Sequence, residues 1–190
     1  SLRRALSEVE VAGLATNVAF LSRVAASRAF STAELDTGLI ERNRPELLPP
    51  RPATSPEALA VAAFAELRAE EAAATAQART TGDAHSPWHV VDGWRLNGGS
   101  HHDLVFLDGE ARYPVRVRFT PGGEEVNGLP LAGRVDGDRY FLRWGERSFS
   151  ARAVQEGQAW HVFCNGAYNR LVLEAELHVP EEEAPGGSLA

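Results

Sequence analysis

With 190 residues, the chain has room for one domain of ordinary size and a modest extra segment, and its 45 Leu, Ile, Val and Phe residues are enough for a packed core. Its net charge of −7 comes from nine arginines against eleven acids in residues 1–85 and ten against fifteen in 86–190, so it lacks the basic excess that sequence-independent nucleic-acid binding requires. All 19 cations are arginine, which excludes a Schiff-base lysine, a phosphate-gripping P-loop lysine and any lysine-borne prosthetic group.

Residues 1–44 read as short helices. Leu2, Leu6 and Val9 have helical spacing, and Thr16 and Asn17 stand as caps before Val18, Phe20, Leu21 and Val24. Ser31 followed by Glu34 has capping-box spacing for a third helix through Leu39 and Ile40. Residues 45–56 hold Pro45, Pro49, Pro50, Pro52 and Pro56. Lost amide donors and restricted backbone there predict an extended linker. The absence of any Met, and an opening inside a helical pattern, read as a segment of a longer protein.

Glu57 to Ala78 carries 11 alanines in 22 residues with no Gly or Pro, which predicts a helix over 57–78. Ser55 is its N-cap, Pro56 its first helical position, and Gly82 follows its far end. Leu59, Ala63, Phe64 and Leu67 form its stripe. Small alanines fill the remaining circumference of the first four turns. An ordinary surface helix confines apolar residues to one side, so this one suits close approach of other backbone on several sides. An exposed Ala-rich helix is the plainer alternative.

From about Trp94 to Val179 the period changes to two. Tyr113, Val115, Val117 and Phe119 alternate with Arg112, Pro114, Arg116 and Arg118. Turn pairs at Asp108-Gly109, Gly122-Gly123, Asn127-Gly128, Asp136-Gly137, Gly145-Glu146, Glu156-Gly157 and Asn165-Gly166 recur at hairpin spacing. Strands are expected at 103–107, 112–119, 131–135, 139–144, 147–154, 159–164 and 168–177. A meander of this kind forms a sandwich or a barrel.

Few residues offer chemistry. His101, His102 and Asp103 suggest metal ligands, but consecutive strand residues face opposite ways and no second Cys/His cluster completes a tetrahedral set; a surface loop is the better reading. His85, His89 and His161 have no nucleophile at readable spacing, and no Gly-x-Ser-x-Gly turn exists. The single cysteine, Cys164, excludes an intrachain disulfide and fits a cytoplasmic setting. Glu66, Glu70 and Glu71, with Arg68 among them, suit either paired-carboxylate chemistry or, the favoured reading, a solvated helix end. Arg112, Arg116 and Arg118 can hold an anion or simply face water. No apolar run reaches the length of a membrane span. Glu181, Glu182 and Glu183 with Gly186-Gly187 read as a charged tether.

Ser86-Pro87-Trp88-His89-Val90-Val91-Asp92-Gly93-Trp94-Arg95-Leu96 is different, with two large aromatics outside both helix and meander. Such side chains anchor packing or a partner. A plug for the barrel mouth and a partner contact are equally good readings.

Gly13-Leu14-Ala15-Thr16-Asn17-Val18-Ala19-Phe20-Leu21, then Phe30, then Leu35-Asp36-Thr37-Gly38-Leu39-Ile40-Glu41-Arg42 resemble the end of the biotin carboxylase domain in biotin-dependent carboxylases. Ser27-Arg28 stands where that family has His-Pro, and Leu39 where it has Phe. The proline linker, Ala-rich helix, Ser-Pro-Trp with Asp-Gly-Trp-Arg-Leu-Asn, and β meander resemble acyl-CoA carboxylase α subunits, especially the methylcrotonyl-CoA type. The resemblance implies an α+β fold, a long helix enclosed by an antiparallel barrel of about eight strands. It implies the end of biotin carboxylase over 1–44, a linker over 45–56 and a BT domain over 57–179, with a hook or loop at 80–98 and the barrel at 99–179. Residues 180–190 would lead to a biotin carrier domain. It also implies a non-catalytic assembly role, with Trp88, Asp92, Gly93, Trp94 and Arg95 docking the carboxyltransferase β subunit. Biotin, ATP and Mg would belong to the parent ligase, and no catalytic, cofactor or metal residue to this segment. Geranyl-CoA and propionyl-CoA carboxylase α subunits stay open, as does a free-standing barrel that binds or hydrolyses a small ligand.

Overall fold

The computed structural model describes residues 2–14, 16–81 and 101–174. Strands β1 (His101–Asp108), β2 (Ala111–Thr120), β3 (Gly123–Val126), β4 (Leu129–Asp136), β5 (Arg139–Trp144), β6 (Arg147–Glu156), β7 (Ala159–Cys164) and β8 (Ala167–Leu173) form an antiparallel meander. Phe106 pairs with Leu173 and Leu107 with Val172, which joins β8 to β1 and closes the barrel. Closure removes the unpaired strand edges of an open sheet.

Two of the hairpins turn at Asn-Gly. Asn127 and Gly128 have φ of 50° and 81°, and Asn165 and Gly166 have 52° and 75°. Positive φ at both central positions matches the right-handed twist of the strands they connect. The expected strands are present. The eighth, which completes the number the resemblance implied, is β3; it was not among the strands read from alternation, because its four residues Gly-Glu-Glu-Val are too short for such a pattern. It pairs with β2 through Val117 and Val126 and with β4 through Val126 and Leu129, bridging the two strands. The last strand stops at Leu173, one residue short of Glu174, and 175–177 of the expected 168–177 run lie outside the described residues.

The long helix is the barrel's axis. Among the helices α1 (Leu2–Ser7), α2 (Val18–Ala26), α3 (Arg28–Ser31), α4 (Leu39–Arg42), α5 (Arg44–Leu47) and α6 (Pro56–Thr81), only α6 has its first turns enclosed. Ser55 caps it, its Oγ accepting the Ala58 amide at 3.2 Å. All of Ala58 to Leu67 is buried. Around it stand Phe106, Val115, Val117, Val126, Leu131, Tyr140, Leu142, Trp144, Val162 and Leu171 from the wall. An eight-stranded barrel has an interior just wide enough to be filled by side chains. A helix fits there only if its own side chains are small, which explains alanine at 58, 60, 62, 63 and 65. At 26 residues the helix is about 39 Å long, so its second half projects. It runs past the expected end at 78 and takes in Thr80 and Thr81, which were read as hook; Thr80 Oγ1 donates to the Ala76 carbonyl at 3.1 Å.

Two expectations in the first 56 residues are corrected. Ser31 closes a helix instead of opening one: Ser27 is the N-cap of α3, its Oγ accepting the Phe30 amide, while Ser31 Oγ donates back to the Arg28 carbonyl. Leu39 and Ile40 lie in the separate single turn α4, behind the Asp36 carboxylate that accepts the Gly38 amide. The linker is not extended throughout. Pro45 sits in the first turn of α5, where its missing donor costs nothing, and Leu47 is fully buried with its carbonyl accepting Arg23 Nε at 2.8 Å.

Candidate functional site

Where α6 leaves the barrel, charge is held by specific partners. Glu66 is 9% exposed, and its Oε2 accepts the Trp160 indole N–H at 2.6 Å. The reading of Glu66 as part of a solvated end is therefore corrected. The wall extends past this position, and the carboxylate supplies the acceptor that a buried indole needs. Arg68 lies 4.8 Å from the Phe64 ring centroid, pairs with Glu71 at 3.0 Å, and pairs with Glu124 of β3. Burial pushes the Glu124 carboxyl up, outweighing the opposing pull of Arg68. Glu70 approaches His102 Nδ1 at 3.5 Å. These contacts clamp helix to wall.

The remaining sequence candidates resolve in the same structural direction. His101 and His102 belong to β1 and not to a surface loop, and they point to opposite faces. His101 faces Asp103 at 3.6 Å on the outside, and that carboxylate is held at 2.6 and 2.9 Å by Arg116. Arg112 pairs with Glu174 at 2.5 Å and Arg118 with Glu125 at 4.0 Å. The three outward arginines of β2 thus each face a carboxylate already. Among the described residues no group of three or more His, Cys, Asp and Glu is arranged to hold a metal, and no helix is long and apolar enough to cross a membrane.

Cys164 is buried, and burial pushes its thiol up to about 11. Thiolate is the reactive form. Native protein at neutral pH is therefore expected to leave Cys164 unmodified by a disulfide-exchange reagent and to react fully once denatured; rapid native labelling would contradict this.

Two latches, which the sequence reading missed, tie the first 56 residues to the barrel. On the outside of β7, His161 is only 1% exposed, with the Tyr168 ring stacked on it and Gly13 against its Nδ1. The Gly13 amide donates to Nδ1 at 3.4 Å, and this assigns Nδ1 as acceptor. Nε2–H then donates to Glu156 at 3.1 Å, and the Tyr168 hydroxyl reaches Nδ1 at 2.8 Å. Arg152 adds a bond to Glu10 at 2.7 Å and holds Asp138, whose carboxyl it keeps below the usual range. At the β1–β2 turn, the Asp108 side chain is 5% exposed. It receives Arg51 at 2.8 Å and the Thr54 hydroxyl at 2.7 Å, while the Thr54 amide donates to Tyr113 Oη at 3.2 Å. Asp108 was legible only as half of an Asp-Gly turn, and His161 only as a strand histidine.

The expected docking set, Trp88, Asp92, Gly93, Trp94 and Arg95, lies outside the described residues, as do His85, His89 and residues 175–190. Residues 55–175, a stretch that takes in α6 and all eight strands, match the family described as methylcrotonyl-CoA carboxylase, alpha-subunit, BT domain. The chain belongs to this family. Among relatives of this BT domain, the mitochondrial methylcrotonoyl-CoA carboxylase subunit alpha of Dictyostelium discoideum is 34% identical over 122 residues, and those of Rattus norvegicus and Mus musculus are 27% and 26% identical. The matched stretch covers 64% of this chain and 17% of each relative. A BT domain built this way has its barrel axis filled by its own helix.

Proposed function

We propose that this BT domain is the non-catalytic assembly element of a biotin-dependent acyl-CoA carboxylase α subunit. On this reading residues 1–44 end a biotin carboxylase domain, 45–56 link it to the BT domain of 57–179, and 180–190 lead to a biotin carrier. Trp88, Asp92, Gly93, Trp94 and Arg95 dock the carboxyltransferase β subunit, and the parent is a 3-methylcrotonyl-CoA carboxylase. The observation that carries the reading is the occupied barrel axis, because burial of every residue from Ala58 to Leu67 leaves the lumen filled by protein and argues against a small-ligand barrel. Exposed Leu2, Leu14, Leu35 and Ile40 among the first helices support a segment that meets further protein.

Biotin, ATP and Mg belong to the parent subunit in this reading. The residues present do not fit a biotin attachment site, since the sequence has no lysine to acylate. A reducing compartment such as the cytoplasm suits the lone buried thiol.

The test uses the full α subunit and its β subunit, with Trp88→Ala and Trp94→Ala measured one at a time for melting and for β binding. At least one variant is expected to lower affinity by about tenfold or more with the fold retained, as for aromatic anchors at interfaces. If both melt early while binding per folded molecule is unchanged, the two tryptophans are plugs and the docking role is lost.

A further inference from the structure

Most of the barrel's outward arginines are neutralised in place; of the four without an ion pair among the described residues, Arg170 stands apart on β8, and Arg134, Arg139 and Arg143 lie together on β4 and β5. Alternation along β5 buries Tyr140, Leu142 and Trp144 and turns Arg139, Phe141 and Arg143 outward. In the β4–β5 register, Arg134 lies beside Phe141, and Arg143 beside the small Ala132. On the other flank Phe141 lies beside Ser150 and Arg143 beside Ser148. Arg134 rests its guanidinium 4.0 Å from the Phe141 ring centroid. Arg134 and Arg143 are exposed and, among the described residues, neither has a carboxylate within ion-pair distance, in contrast to Arg112, Arg116, Arg118 and Arg152. Arg139 stands opposite Asp136 in the register and next to Asp138, so its charge is partly balanced.

The geometry points to the outer face of β4 and β5, centred on Arg134, Phe141 and Arg143, as a docking surface for an acidic patch on a partner protein. This rests on the assembly reading and names a surface for it separate from the tryptophan segment. Three arguments converge on that chemistry. Two arginines on adjacent strands, their backbones about 7 Å apart as diagonal neighbours, can meet a pair of carboxylates, which guanidinium groups bind in planar, bidentate fashion. The half-buried ring beneath Arg134 pre-orders that side chain and adds apolar contact area of the type enriched at interface hot spots. A chain of net charge −7 repels an extended polyanion at long range, so a local acidic patch on a folded surface fits better than a nucleic-acid backbone. Short Ala132, Ser148 and Ser150 side chains leave the floor around the two arginines open to such a surface.

The test measures association of the intact α and β subunits at low and high salt for wild type and for Arg134→Ser with Arg143→Ser. The double variant is expected to bind at least about tenfold more weakly at low salt, mainly through slower association, and to lose most of the salt dependence. A control with the same charge change, Arg112→Ser with Arg116→Ser, is expected to stay within about twofold of wild type, because those arginines only exchange one neighbouring carboxylate for water. All four positions are on the exposed outside of the barrel, and unchanged melting establishes that each variant is folded. Equal weakening by both double variants would reduce the effect to net charge and overturn the assignment. If Trp88→Ala weakens the complex while Arg134→Ser with Arg143→Ser does not, this face is not a docking surface and the assembly reading stands. If wild-type subunits do not associate, both fall. Retention of free coenzyme A by wild type, lost in the double variant, would make the face a phosphate site and overturn the acidic-protein assignment.

Discussion

Trp160→Ala is expected to lower the unfolding free energy by about 3–5 kcal/mol, the range for removing a large aromatic from a core. The side chain is buried between β6 and β8 on the inner wall, and its loss leaves a cavity against α6. It also strands Glu66, whose carboxylate receives the indole N–H; a buried acceptor without a donor carries its own desolvation cost of about 1–3 kcal/mol. Trp160→Phe separates the two effects, since it keeps most of the volume and removes only the N–H. Chemical denaturation is expected to order the proteins as wild type, then Trp160→Phe, then Trp160→Ala. If Trp160→Phe equals wild type, the Glu66 bond contributes nothing and the helix is held by packing alone. If Trp160→Ala is nearly neutral, the helix is not enclosed at that level.

How far the fold was legible depended on whether its cause was local. The Asn-Gly and Asp-Gly pairs fix hairpins through their own backbone preferences, so most strands and their order could be read in advance. β3 escaped because its place in the barrel depends on β2 and β4 and not on any pattern within Gly123–Val126. Ser31 was misassigned because both Ser27 and Ser31 have cap-forming side chains, and Arg28 to Ser31 are the residues that coil behind Ser27. Pro45 misled similarly, since a proline in the first turn of a helix and one in an extended linker look the same in sequence.

The site was harder to read than the fold. Glu66 sits among Glu70 and Glu71, so its charge suggested water; the indole that binds it is 94 residues away. His161 and Gly13 are 148 residues apart, and Thr54 and Asp108 are 54 apart. Such pairings follow from tertiary closure, and no spacing rule within one element announces them. The alanines of α6 were informative for the opposite reason. Their message, small side chains all round, is local to the helix.

That message leads to the second large effect. Ala63→Leu is expected to destabilise the protein by about 1–3 kcal/mol, because the position is fully buried and added methylenes in a packed interior force side chains off their rotamers or shift backbone. Ala73→Leu, the same change on the exposed, projecting half of the same helix, is expected to stay within about 0.5 kcal/mol of wild type, as surface changes do. Leu and Ala are both good helix formers, so intrinsic propensity does not separate the two variants. Only the enclosure does. Urea unfolding of both proteins reads the difference directly, and a shift in midpoint without a change in slope identifies it as stability and not as a change in the unfolded chain. Equal stability of the two variants would mean that the wall yields to a larger helix at no cost. The small side chains of α6 would then not be what admits the helix to the barrel.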